Sequence, residues 1–205
     1  MVAFNPLEVA LAGVLGEERL LRIQGVKVGV AGAGGLGSNC AQMLVRSGFR
    51  RFCIVDFDHV DPGNLNRQFF FPRQVGWKKV EALKENLLLI NPDIQIEALH
   101  QKIEKETLGN FFSDCHAVVE ALDSADYKRL LVEHFMDSGK LLVAASGLAG
   151  WGSSDDIKVR RIKDNFFLVG DLVSEAGPRC PAMAPRVNTA AAKQSDVVLS
   201  YFLGQ

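Results

Sequence analysis

The sequence has no run of eighteen uninterrupted apolar residues, no CxxC pair and no excess of charge of either sign. The first absence removes the membrane-spanning helix from consideration. The second leaves Cys40, Cys53, Cys115 and Cys180 scattered through 205 residues, a chain too large to need stapling. Neither a disulfide framework nor a thiolate-ligated zinc site is therefore expected, and reduced thiols in the cytoplasm are the simpler reading. The third follows from 23 Lys and Arg against 24 Asp and Glu, a formal net charge of −1. Without a basic face there is no long-range attraction for nucleic acid or an anionic membrane, so any anion site has to be local. The opening MVAFNPLEVALAGVLGEERL also lacks the basic region of a secretory leader and soon meets Glu17, Glu18 and Arg19, which predicts a soluble, unexported protein.

What is present is a chain 48% apolar and 23% charged, enough to bury one substantial core. It reads as a single domain over 1–205, with a helical arm (1–24), a nucleotide-binding core (25–150), and a hairpin, crossover loop and closing helix (151–205). Leu7, Leu11, Val14, Leu15, Leu20, Leu21 and Ile23 give the arm its helical spacing. Strands are expected at 26–31, around 52–55, and at 94–99, 117–122 and 141–145, and helices at 38–46, 77–90, 104–112 and 126–137. Strands alternating with helices predict an α/β, Rossmann-like fold, a mostly parallel sheet with helices on both faces. After Ser146 the texture changes: 157–162 and 166–169 read as a hairpin antiparallel to the main sheet, 171–184 as a mobile loop, and 186–202 as a closing helix. Between Asp58 and Gly76 lies a polar, aromatic loop of the long kind that is often functional.

The chemistry starts at GAGGLG, directly after the first strand. Gly32, Gly34, Gly35 and Gly37 can bring backbone N–H groups and a helix N-terminus against a phosphate. Asp56, at the end of the second strand, is placed to accept hydrogen bonds from both ribose hydroxyls. These residues identify a nucleotide without saying which. Asn64, Asn66, Arg67, Gln68, Lys79 and Asp123 narrow the choice, because a hydride-transfer site has no need of two further cations and a carboxylate near the phosphates. Attack of a carboxylate on an α-phosphorus does need them: Arg67 and Lys79 to stabilise phosphate charge, and Asp123 to hold Mg²⁺ together with phosphate oxygens and water. Each has a blander alternative, a solvated charge for Arg67 and Lys79 and a helix cap for Asp123. Their joint occurrence at one sheet edge favours the functional reading.

The segments GAGGLGS, VDFDHVDPGNLNRQ, KKVEALKENLLLINP, ALDS and MAPRV resemble the successive signatures of the ThiF/MoeB/ubiquitin-activating superfamily, over roughly residues 26–203. AASGLAGWGSS and SEAGPRCPAMAPRVNTAAA look most like the compact, zinc-free ThiF-like proteins of thiamine biosynthesis. The resemblance implies ATP-dependent adenylation of the Gly-Gly carboxylate of a ubiquitin-like, ThiS-like sulfur carrier protein, with release of pyrophosphate. Gly35, Asp56, Asn66, Arg67, Lys79 and Asp123 match the family's nucleotide, catalytic and Mg²⁺ positions. It also implies a homodimer. Three features depart from the pattern. The paired CxxC zinc sites of many relatives are missing, and so is the arginine motif before the first strand, where Arg19 and Arg22 are the nearest substitutes. Cys180 lies three residues beyond Gly177, the position matching the sulfur-transfer cysteine of other relatives. Two alternatives stay open: an adenylating enzyme for another carrier, peptide, small-molecule or tRNA-linked carboxylate, and a non-catalytic nucleotide-binding partner subunit.

Overall fold

The computed structural model describes residues 4–204; the first three residues of the expected arm, and Gln205, lie outside the described residues. The central feature is one seven-stranded sheet. Its strands are β1 (Lys27–Ala31), β2 (Arg51–Val55), β3 (Gln95–Leu99), β4 (Ala117–Glu120), β5 (Leu141–Ala145), β6 (Lys158–Lys163) and β7 (Phe166–Gly170), in the order β3-β2-β1-β4-β5-β7-β6. β1, β4 and β5 are buried along their whole length, as strands covered on both faces must be, and this explains why they are apolar apart from Lys27 at the start of β1 and Glu120 at the end of β4.

On one face lie α1 (Pro6–Leu15), α2 (Glu17–Gln24), α3 (Gly35–Arg46), α4 (Lys79–Ile90) and α7 (Ala184–Leu203). On the other lie α5 (Leu108–Phe111) and α6 (Ala125–Phe135). The long α7 packs on α3 through Val187, Ala190, Ala191, Val197 and Val198, whose helical spacing and small alanines let the two helices approach closely. Phe112, Leu131 and Phe135 fill the opposite layer, where truncating Phe135 to alanine is expected to cost about 3–5 kcal/mol. Among the described residues no helix is long and apolar enough to cross a membrane.

Three segments differ from the sequence expectations for identifiable reasons. The arm is two helices, because Gly16 adopts φ +84° between them, and it docks on the core through Leu20 and Ile23. Its only charged residue before the break, Glu8, is fully buried, accepting from Asn91 and pairing with Arg50. The helix expected over 104–112 is reduced to Leu108–Phe111, since the Thr107 hydroxyl exchanges hydrogen bonds with the backbone of Glu104 and closes a local turn instead. The loop over 58–76 contains two short 3₁₀ turns, Pro62–Asn64 and Pro72–Gln74, each entered through a proline.

The C-terminal hairpin is corrected in sense. Only β6 is antiparallel; β7 returns between β5 and β6 and runs parallel to β5. The segment after β5 delivers the chain to β6 at the same sheet edge where β5 ends, so β6 descends and β7 rises without a crossover helix. Apolar Phe166 and Val169 suit the inner position, whereas Lys158, Arg160, Arg161 and Lys163 suit β6 as an edge that resists pairing with another chain.

Candidate active site

The strand order reverses between β1 and β4, and the crevice beyond their carboxyl ends is where open α/β sheets bind ligands. A cleft of about 700 Å³ opens there. One end is lined by Gly32, Gly34, Gly35, Asp56, Asp58, Arg67, Gln68 and Lys79, the floor by Ala121, Leu122 and Asp123, and the far end by Ser146–Ala149, Ser174–Ala176, Ala182 and Val187.

The turn after β1 is built by its glycines. Gly32 takes φ +98°, and a Cβ on Gly37 would stand 1.8 Å from the Gly32 carbonyl oxygen, so neither position tolerates a side chain. α3 therefore begins within the turn, where Gly34, Gly35 and Leu36 line the cleft and the first N–H groups of the helix have no intrahelical acceptor. Gly37 is buried and does not line the cleft; its place is in the packing of the turn.

Asp56 follows β2 directly. One carboxylate oxygen accepts from the Ala33 N–H at 2.6 Å and the other from the Asp58 N–H at 2.7 Å. Burial pushes its carboxyl above the ordinary aspartate range, against the pull of those two N–H groups and of Lys79. Lys79, at the first position of α4, donates its backbone N–H to the Asp58 carbonyl at 3.0 Å and its ammonium to Asp58 Oδ2 at 2.7 Å. The Gly-rich turn, Asp56, Asp58 and Lys79 thus form one hydrogen-bonded sequence along the wall.

Arg67 is held by the Gly63 carbonyl at 3.0 Å and Asn66 Oδ1 at 2.7 Å. Gln68 is buried against the turn, and its Oε1 has no hydrogen-bond partner. A ligand donor at the turn is a natural complement to it. Asn64 does not reach the cleft: its side chain accepts from the Asp61 N–H and caps the first 3₁₀ turn. Asn66 lies outside the lining too, donating to the Ala182 carbonyl at 3.3 Å while orienting Arg67. Asp123 lines the cleft. The N-cap of α6 is the next residue, Ser124, which makes no side-chain capping bond, so Asp123 is not the helix cap.

The far end is tied together by a pair of a half-buried aspartate and a buried arginine. Asp171 accepts from the N–H groups of Val173 and Ser174, both at 2.8 Å, and from Arg186, which also donates to the Gly152 and Ser153 carbonyls. Burial alone would raise the Asp171 carboxyl, but those N–H groups and the guanidinium hold it below its ordinary value. Sequence reasoning missed Asp58, Glu120, Lys128, Asp171 and Arg186. The signals available were the alternation Asp56-Phe57-Asp58 at a strand end and the lone charge of Glu120 closing an apolar strand. Nothing local marks Asp171 and Arg186 as partners. Among the described residues no group of three or more His, Cys, Asp or Glu could hold a metal. The donor set at the cleft fits a Mg²⁺ ion that takes one carboxylate and completes its shell with phosphate oxygens and water.

The sequence matches the ThiF family over residues 7–170. It is 35% identical over 139 residues to SUMO-activating enzyme subunit 2 of Dictyostelium discoideum, a match covering 67% of this chain and 21% of that protein. To ubiquitin-like modifier-activating enzyme 5 of Xenopus laevis it is 44% identical over 94 residues, 46% of this chain and 23% of that one. The chain therefore spans about a fifth of the length of these relatives. In fold it is similar to the E. coli tRNA N6-threonylcarbamoyladenosine dehydratase TcdA in complex with ATP, with a TM-score of 0.88 at 22% identity over 99% of this chain and 98% of that one. E. coli MccB with ATP gives a TM-score of 0.71 at 20% identity over 91% and 59%.

Proposed function

From the premise that the chain belongs to the ThiF family, we propose that it adenylates the C-terminal Gly-Gly carboxylate of a ThiS-like, ubiquitin-like sulfur carrier protein of thiamine biosynthesis. The observation that carries this reading is the single cleft whose one end joins the glycine turn, Asp56, Arg67 and Lys79, and whose other end continues past Asp123 to Ser146–Ala149. The first end suits the ribose and phosphates of ATP, and the second leaves room for an extended peptide tail.

A carrier carboxylate oxygen attacks the α-phosphorus, the new C–O–P bond forms, and the bond to the β-phosphate oxygen breaks with its electron pair leaving on pyrophosphate. No general base is required, because the nucleophile is already ionised at pH 7. Asp56 accepts the ribose hydroxyls, the turn N–H groups and Arg67 hold phosphate oxygens, and Lys79, fixed by Asp58, stabilises the charge of the departing pyrophosphate. Asp123 would hold a Mg²⁺ ion, which supplies charge neutralisation on the phosphates. The relatives named for SUMO and ubiquitin-like modifiers support a protein carrier. The homodimer that the family resemblance implies is part of this reading, and light scattering of the purified protein tests it.

The test is exchange of labelled pyrophosphate into ATP. It is expected to require both Mg²⁺ and a Gly-Gly-ended carrier. Exchange driven by free amino acids, small acids or a tRNA-linked carboxylate would transfer the activity to that substrate, and no exchange with any of them would leave a nucleotide-binding partner subunit.

A further inference from the structure

Beneath the cleft floor lies a charge that none of the roles above uses. Glu120 is the last residue of β4, and its side chain is 1% exposed. A carboxylate is expensive to bury and would repel phosphates bound above it. Every contact it makes leads to the cleft. Oε1 accepts from the Leu122 N–H at 2.7 Å, fixing the turn that presents Asp123, while Oε2 accepts from the Ala145 N–H at 3.3 Å, fixing the end of β5 where the Ser146–Ala149 wall begins.

Lys128, one turn into α6, completes the arrangement. Its ammonium donates to Glu120 Oε1 at 2.9 Å, to Oε2 at 3.0 Å and to the Ala145 carbonyl at 3.0 Å, so all three of its hydrogens are directed at protein oxygens. Although Lys128 lines the cleft, it has no donor left to offer a ligand. On the other side Gln194 of α7 donates to the Glu120 carbonyl at 3.0 Å, pinning the same residue from the opposite layer.

We propose that Glu120 and Lys128 are positioning residues: the pair locks the β4 turn bearing Asp123 against the end of β5, and Lys128 cancels the field that Glu120 would otherwise impose on bound phosphates. The inference rests on the reading of Asp123 as the Mg²⁺ carboxylate. A pair serving stability alone would be replaceable by apolar side chains of similar volume at little loss. A positioning pair is not replaceable, because the turn N–H and the β5 N–H both need the carboxylate as acceptor.

The test combines calorimetric titration of ATP binding at varied Mg²⁺, pyrophosphate exchange and thermal melting, on wild type, Glu120→Gln, Lys128→Met and Lys128→Arg. In Glu120→Gln and Lys128→Met the Mg²⁺ concentration for half-maximal ATP binding is expected to rise about tenfold or more, the scale of losing a residue that orients a ligand. The exchange kcat should fall with it, while ATP binding in the presence of a chelator stays within about twofold, since Asp56 and the glycine turn are untouched. Lys128→Arg keeps the charge and is expected to retain Mg²⁺ dependence within about threefold. A lowered melting temperature with unchanged Mg²⁺ dependence in both disrupting variants would overturn the proposal. Should either fail to fold, Glu120→Asp decides: it keeps the charge but withdraws the oxygens from Leu122 and Ala145, and wild-type Mg²⁺ dependence there would equally overturn it. Wild-type protein that binds ATP identically with and without Mg²⁺ would overturn the reading of Asp123 itself, and the positioning role with it.

Discussion

The two ends of the cleft are built by different means. The nucleotide end comes from one stretch of chain, Gly32 to Lys79: the glycine turn and Asp56 follow strands and Lys79 opens a helix, while Arg67 and Gln68 come from the loop between the two 3₁₀ turns. The acceptor end gathers the segment after β5, the crossover loop and the start of α7, which are joined to one another chiefly by the Asp171–Arg186 pair and a few backbone bonds such as Gly150 N–H to the Pro181 carbonyl at 2.9 Å. One end is built largely on the ends of strands and helices and the other mainly on contacts between distant residues, the Asp171–Arg186 pair foremost. The electrostatics diverge accordingly. Burial raises Asp56 at the first end, while burial at Asp171 is outweighed by N–H donors and Arg186, which lower it.

The largest effect is expected where one contact carries most. Asp171→Ala leaves the Arg186 guanidinium buried without its carboxylate and is expected to lower stability by about 3–5 kcal/mol in denaturant titration, with loss of carrier-dependent exchange. A variant of wild-type stability would mean that the acceptor end is held by its backbone after all. At the nucleotide end the substitutions act on chemistry instead. Arg67→Ala, Lys79→Ala and Asp123→Ala are each expected to reduce exchange about a hundredfold, roughly 2.7 kcal/mol, while melting stays close to wild type. Near-normal exchange in all three would remove the proposed site.

Acidification separates the two ends by sign. In the proposed role Asp56 needs its charge to accept ribose hydroxyls, and its raised pKa means that ATP affinity should begin to fall at a higher pH than for an ordinary aspartate. Protonating it does not destabilise the fold, since its burial penalises the ionised form. The lowered pKa of Asp171 works the other way: its contribution to stability is present above the unfolded aspartate pKa and is lost as pH falls through the folded value. ATP affinity measured by calorimetry should therefore decline before the acid unfolding transition seen by circular dichroism; coincident curves would contradict this.

The smallest effect concerns Cys180, half-buried in the crossover loop with its sulfur packed against Gly150. Adenylation needs no thiol, so Cys180→Ser is expected to retain exchange within about threefold, under about 1 kcal/mol. A collapse of exchange, or a thiol-sensitive covalent carrier adduct in mass spectra of the wild type, would make the acceptor end a site of acyl transfer. The buried Cys40, whose thiol is pushed up to about 12 by burial, should resist alkylating reagents in the folded protein.

Legibility in the sequence follows the same division. GAGGLG after a run of buried apolar residues, and an acid at the next strand end, are local patterns whose geometry is set within a few residues by strand, turn and helix. The sheet core from β1 to β5 was readable for the same reason, with boundaries shifted by one or two residues at most strands. Asn64 shows the limit: it shares the polar loop with Arg67 and Gln68, yet the 3₁₀ turn at Pro62–Asn64 directs its side chain into a cap. The parallel sense of β7 was not legible, because a hairpin sequence fixes how its two strands pair with each other but not which of them meets the sheet.

The sequence by itself determined the family, through the resemblance of its motif segments, and the α/β class and the place of the glycine turn, because these last two depend on periodicity and on contacts between near neighbours. Only the tertiary structure decided that Glu120 and Lys128 meet beneath Asp123, that Asp58 holds Lys79, and that Arg186 closes on Asp171. A charge carries the same letter whether it is solvated or paired. What separates the two is burial together with a partner brought up by the fold, and neither is a property of the neighbouring residues.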